Sequence, residues 1–96
     1  MKVTRQPTHP GEILKYHYLE PLNLTTSDLA DAVGVSRKTI SKLINERGSV
    51  TPEMALRLSI AFKTTAQLWL NLQQSYDLWH AQRTAKGLKS IRPLAA

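Results

Sequence analysis

Apolar residues recur along this chain at helical spacing, broken at intervals by capping and turn residues, and the pattern predicts five helices with short connections. Ile13, Leu14 and Tyr18 mark the apolar side of a first helix, opened by His9-Pro10-Gly11-Glu12 and stopped by Pro21. Glu12 is placed to reach back to the free amides there. His17 falls close to the same apolar side and reads as a core histidine. Leu29, Ala30 and Val33 give a second helix its buried stripe, with Thr25 or Thr26 as cap and Asp28 in the first turn. Gly34 follows, where a left-handed backbone ends a helix at little steric cost. Val35 then drops into the core, and Ser36 caps a third helix whose Ile40, Leu43 and Ile44 point inward.

Thr51 caps a fourth helix with Pro52 in its first turn. Met54, Ala55, Leu56, Leu58, Ile60, Ala61 and Phe62 make it apolar nearly all round, which predicts the central, most buried helix. Glu53 and Arg57, at i and i+4, read as an exposed ion pair. Thr64 or Thr65 starts the fifth and longest helix, running to about Lys86 with Gly87 as its stop. Leu68, Trp69, Leu72, Tyr76 and Trp79 form one stripe, expected to pack on the fourth helix. Leu70 and Leu78 point away from that stripe and are the candidate dimer or partner interface. Leu88 to Ala96 has spaced apolar residues without a clear period, as expected of a disordered tail or a short strand on a partner.

Chemistry enters with the third helix. Two short capped helices around a glycine turn are the layout of a helix-turn-helix. Arg37, Lys38, Ser41, Lys42 and Asn45 fall on the face of the third helix opposite its core residues. A helix with that face suits the major groove of DNA. The loop Asn45-Glu46-Arg47-Gly48-Ser49-Val50 follows directly.

The 96 residues carry a net charge of +6. Its distribution sharpens the reading: Arg37, Lys38, Lys42 and Arg47 face Glu46 alone, and Arg83, Lys86, Lys89 and Arg92 have no acid after Asp77. Such a balance fits a polyanionic partner. The length suits one domain, divided here into residues 1–86 and a basic tail, 87–96. There is no cysteine, which excludes disulfide, thiol-nucleophile and zinc-thiolate chemistry. No apolar run approaches membrane-spanning length, so a cytoplasmic protein without membrane contact is expected.

Catalysis has no convergent constellation to rest on. His9, His17 and His80 are widely spaced, and Asp77 and His80 lie one turn apart with no nucleophile beside them. His9 and Glu12 have a metal-like spacing that capping explains as well. The expectation is no enzyme, no metal and no cofactor.

Residues 24–48 resemble the DNA-binding unit of the Cro and phage-repressor superfamily, the XRE-type regulators. That likeness implies an all-α fold, a compact five-helix bundle of the lambda repressor-like type. The runs His9-Pro10-Gly11-Glu12-Ile13-Leu14, Thr51 to Leu58, Trp69-Leu70-Asn71-Leu72-Gln73 and Tyr76-Asp77-Leu78-Trp79 narrow it. In that order, over roughly residues 7–82, they look like the HigA antitoxin family. The resemblance implies a homodimer that binds its own double-stranded operator DNA and neutralises HigB, a small RelE-like ribonuclease toxin. The alternative is a solitary XRE-type regulator without a toxin.

By the same resemblance, Ser36, Arg37, Lys38, Thr39 and Lys42 occupy base-reading and groove-facing positions. Thr26 stands where many members have a glutamine that buttresses a phosphate contact, and Arg47 with the loop amides would clamp the DNA backbone. A ribonuclease toxin is itself expected to be basic, so the acids of the first two helices, Glu12, Glu20, Asp28 and Asp31, are its candidate contacts.

Overall fold

The computed structural model describes residues 5–95; Met1 to Thr4 of the predicted 1–86 domain and Ala96 of the tail lie outside the described residues. The chain opens with α1 (Pro10–Ile13), which runs without a break into a π-helical segment, π1 (Leu14–Leu19). There follow α2 (Thr26–Val33), α3 (Arg37–Ile44), α4 (Pro52–Phe62) and α5 (Ala66–Thr84), then a single 3-10 turn (Leu88–Ser90). Among the described residues there is no strand, and the five-helix expectation holds.

The caps explain most of the boundaries. Thr25 and Asp28 form a reciprocal capping box, the Thr25 hydroxyl accepting from Asp28 N at 3.0 Å and the Asp28 carboxylate accepting from Thr25 N at 2.8 Å. Gly34, with φ 73°, donates its N–H to Ala30 O and turns the chain into Val35, which packs against the core. Ser36 caps α3, Thr51 caps α4 and Thr65 caps α5, each accepting from the backbone N–H three residues on.

The core gathers Leu14, Leu29, Ile40, Leu58 and Trp69, with Tyr18 and Phe62 tilted against the Trp69 ring. Several details differ from the sequence reading. His17 is exposed rather than in the core. The wide π turn brings residues five apart into line, so Leu14 and Leu19 are both buried and His17 swings outward. The histidine that the fold buries is His9, 2% exposed, and it rather than Glu12 accepts from the first amides.

On α4 only Met54, Ala55 and Leu58 are buried, while Leu56 and Ile60 face out, so this helix is not enclosed on all sides. Leu70 packs half-buried against the core instead of pointing away from it, whereas Leu78, the other candidate for the interface, is 61% exposed. The stripe on α5 is centred on Trp69 and Gln73, which leaves Leu68 at its exposed edge. Finally, α5 ends at Thr84, so Lys86 lies beyond it, and every residue from Ala81 to Ala95 is exposed.

Candidate nucleic-acid interface

α3 buries Ile40 and Leu43 and presents its opposite side to solvent. Arg37, Lys38 and Lys42 are exposed there, and among the described residues none of them forms an ion pair. Three unpaired cations on one rigid, capped helix are an electrostatic footprint for phosphate or for guanine edges.

The small polar residues of the same helix are partly committed. The Ser36 and Thr39 hydroxyls lie 2.9 Å apart, and Ser36 Oγ also accepts from Thr39 N at 3.1 Å. Asn45 folds back, its Nδ2 donating to Ser41 O at 2.9 Å and lying 3.4 Å from Ser41 Oγ. Asn45 therefore closes the end of α3 with its amide nitrogen and keeps only its carbonyl oxygen for a partner.

Thr26 is half-buried at the first position of α2. It shares an open groove of about 350 Å³ with Lys15, Ser27 and Arg37. Thus the structure brings Thr26 and Arg37 to one surface between the starts of two helices. Both helix N-termini carry partial positive charge, which adds to Lys15 and Arg37 and is opposed by Glu20 on the same groove.

The loop after α3 is held more firmly than its composition suggests. Arg47 N and Gly48 N both donate to Lys42 O, at 2.8 and 3.1 Å, and Glu46 takes a left-handed backbone with φ 60°. From below, His9 Nε2 donates to Gly48 O at 3.0 Å while His9 Nδ1 accepts from Gly11 N at 2.9 Å. Gln73 of α5, 5% exposed, accepts from Val50 N at 2.8 Å and donates to Asp77 at 2.9 Å. Arg47 itself is exposed on this fixed loop.

Gln73 is the residue that a search for cations and caps overlooks; His9 is the cap that its spacing with Glu12 suggested, and its long-range bond to Gly48 O is what the sequence does not show. The signal for Gln73 was a polar residue at helical spacing from Trp69 and Tyr76, in the middle of an apolar stripe. Gly11 belongs to the same support: a Cβ there would overlap the Leu43 carbonyl, so the first turn of α1 sits directly against the end of α3.

Arg57 secures the other side of the helix pair. Its guanidinium donates to Val33 O, at the last turn of α2, and to Glu53 at 3.0 Å. The expected Glu53–Arg57 pair is therefore present, and it also clasps α2 to α4. Among the described residues no hydrogen bond or ion pair joins Asp77 to His80; Asp77 accepts from Gln73, and His80 Nε2 lies 3.1 Å from Gln6 Nε2.

Known proteins are similar to this chain in sequence and in fold. A helix-turn-helix family model matches residues 16–69. YbaQ, an uncharacterised HTH-type transcriptional regulator of Escherichia coli K12, is 46% identical, with 98% of this chain and 86% of the relative covered. Antitoxin HigA-1 of Vibrio cholerae is 42% identical, covering 97% of this chain and 89% of the relative. The solved structure of antitoxin GraA in complex with its operator superposes with a TM-score of 0.88 at 39% identity, over 100% of this chain and 99% of that one.

Proposed function

This chain belongs to the HigA-like group of the helix-turn-helix family, and on that premise we propose that it is an antitoxin that represses its own gene. It is a DNA-binding regulator, not an enzyme. The finer reading is that a homodimer lays α3 of each copy in the major groove of an operator and that the same protein neutralises a RelE-like toxin of the HigB type. The observation that carries its DNA-binding part is the unpaired Arg37, Lys38 and Lys42 on the outer face of α3.

In this mechanism Arg37 and Lys38, at the start of α3, donate to guanine O6 and N7; each good bidentate pair discriminates by about 1–3 kcal/mol. Ser36, Thr39, Ser41 and Asn45 lie along the same face and serve groove contacts, with less freedom because of the bonds described above. Lys42, Arg47 and the loop amides hold phosphates, and Thr26 lines a phosphate groove with Arg37. The basic tail, residues 87–96, is a segment apart from the DNA-binding domain, 1–86. Leu78 on α5 is the proposed centre of the dimer contact.

Nuclease protection of the DNA upstream of the gene tests this reading. Two protected half-sites in inverted repeat, centred about 10 base pairs apart, are expected of a dimer. Protection of a single half-site, or none, would refute the dimeric repressor. A solitary regulator is the second reading, favoured by relatives that are named only as HTH-type regulators. Co-expression with a toxin gene encoded alongside separates the two, since only an antitoxin restores growth.

A further inference from the structure

Two exposed apolar side chains on α4 serve neither the core nor the α3 surface. Ile60 is 80% and Leu56 57% exposed, and they lie one helical turn apart on the same side. Beside them Ala61, with Ala32 and Val33 of α2, lines an open cleft of about 270 Å³. Arg57 lines it too, and its bonds to Val33 O and Glu53 fix the two helices that form the walls. The face is thus preformed rather than assembled from loose side chains.

The charge around α2, which supplies one wall of this cleft, is unlike the rest of the chain. Between Lys15 and Arg37 there are three acids, Glu20, Asp28 and Asp31, and no Lys or Arg. Asp28 and Asp31 are exposed on α2, and among the described residues neither forms an ion pair. In a chain of net charge +6, α2 carries two acids, Asp28 and Asp31, and no cation.

We infer that the α2–α4 face docks a basic, RNA-binding protein, the ribonuclease toxin of the proposed function; the inference rests on that reading. A protein that grips RNA must present a cationic surface. The α3 face, its loop and the tail repel such a surface, whereas α2 attracts it. Leu56 and Ile60 supply the apolar centre that water must leave, and the carboxylates of α2 supply an orienting edge. This moves the expected contact from the first two helices to the second and fourth. Glu20, one of the four acids expected to meet the toxin, instead lines the groove beside Arg37.

The test uses the full chain and the RelE-like protein encoded beside its gene, with the ribonuclease activity of that protein abolished. Toxin affinity is read by biolayer interferometry for Asp31→Lys/Ile60→Lys and for Leu56→Ala/Ile60→Ala. All three positions are exposed, so folding is expected to persist, and thermal melting and operator binding verify it. The charge-reversing pair is expected to weaken toxin binding about 100-fold, and the alanine pair about 10-fold, with subunit mass by light scattering unchanged. Unchanged toxin affinity in both variants overturns the assignment. So does loss of dimer mass with toxin affinity intact, which gives the face to a second copy. If the unaltered chain itself has no affinity for the toxin, the antitoxin reading fails, and the occupant assigned to this face falls with it.

Discussion

His9 and Gly48 are joined across 39 positions of sequence by one hydrogen bond of 3.0 Å, and that bond ties the loop carrying Arg47 to the first turn of the protein. Because Nδ1 already accepts from Gly11 N, the ring proton must sit on Nε2 for both bonds to form. His9→Phe keeps an aromatic ring against Tyr76 but removes both bonds. It should lower stability by about 1–3 kcal/mol, since a buried N–H and C=O lose their partner. Urea unfolding measures that loss. Gel shifts should show affinity falling on all DNA sequences alike, because the loop positions the protein and α3 reads the bases.

Gly11→Ala tests the contact between α1 and the end of α3. A methyl group there meets the Leu43 carbonyl, so one backbone must move away from the other. A loss of about 1–3 kcal/mol or more is expected from overpacking, visible as a lower melting temperature. A melting temperature equal to that of the unaltered chain would mean that the two segments do not meet this closely.

Gln73 supports the same loop from the opposite side. Gln73→Leu fits the apolar stripe but leaves Val50 N–H buried without an acceptor. About 1–3 kcal/mol of stability should disappear. Hydrogen exchange should report the damage locally, with Val50 N–H losing protection before the amides of α4.

Asp28 makes stability depend on acid. The Thr25 backbone N–H, and then its hydroxyl, hold the Asp28 carboxyl below its ordinary value of 3.8. A depressed carboxyl contributes stability that is fully present above the unfolded value and is lost as pH falls through the folded one. Asp28→Asn should therefore flatten the acid limb of a stability–pH profile below about pH 4 and leave the neutral region parallel to the unaltered chain. An unaltered acid limb would show that the capping box does not set it.

The helix-turn-helix was legible because every one of its signals is local. Thr25, Gly34 and Ser36 act through bonds to residues within four positions, so spacing alone places them. The first helix was less legible because its turn widens: a period of 3.6 puts His17 beside Ile13, whereas the observed π turn aligns Leu14 with Leu19. On α5, Gln73 occupies the middle of the buried stripe, and reading apolar residues alone rotates the face and wrongly sends Leu70 outward. The fourth helix misled for a different reason. Its apolar residues exceed what one chain can cover, and composition does not tell a core position from a surface that awaits a partner.

The division of labour between α3 and its loop is the centre of this account, and one titration tests it. Gel shifts on the upstream DNA, at near-physiological salt with excess non-specific competitor, compare the unaltered chain with Arg37→Ala/Lys38→Ala and with Arg47→Ala. The α3 variant should lose its preference for the operator by about 10- to 100-fold while keeping weak, salt-sensitive binding. Arg47→Ala should weaken binding to every sequence by a similar factor and leave the preference intact. Equal, uniform losses in both variants would contradict the account and leave only charge-driven attachment to DNA.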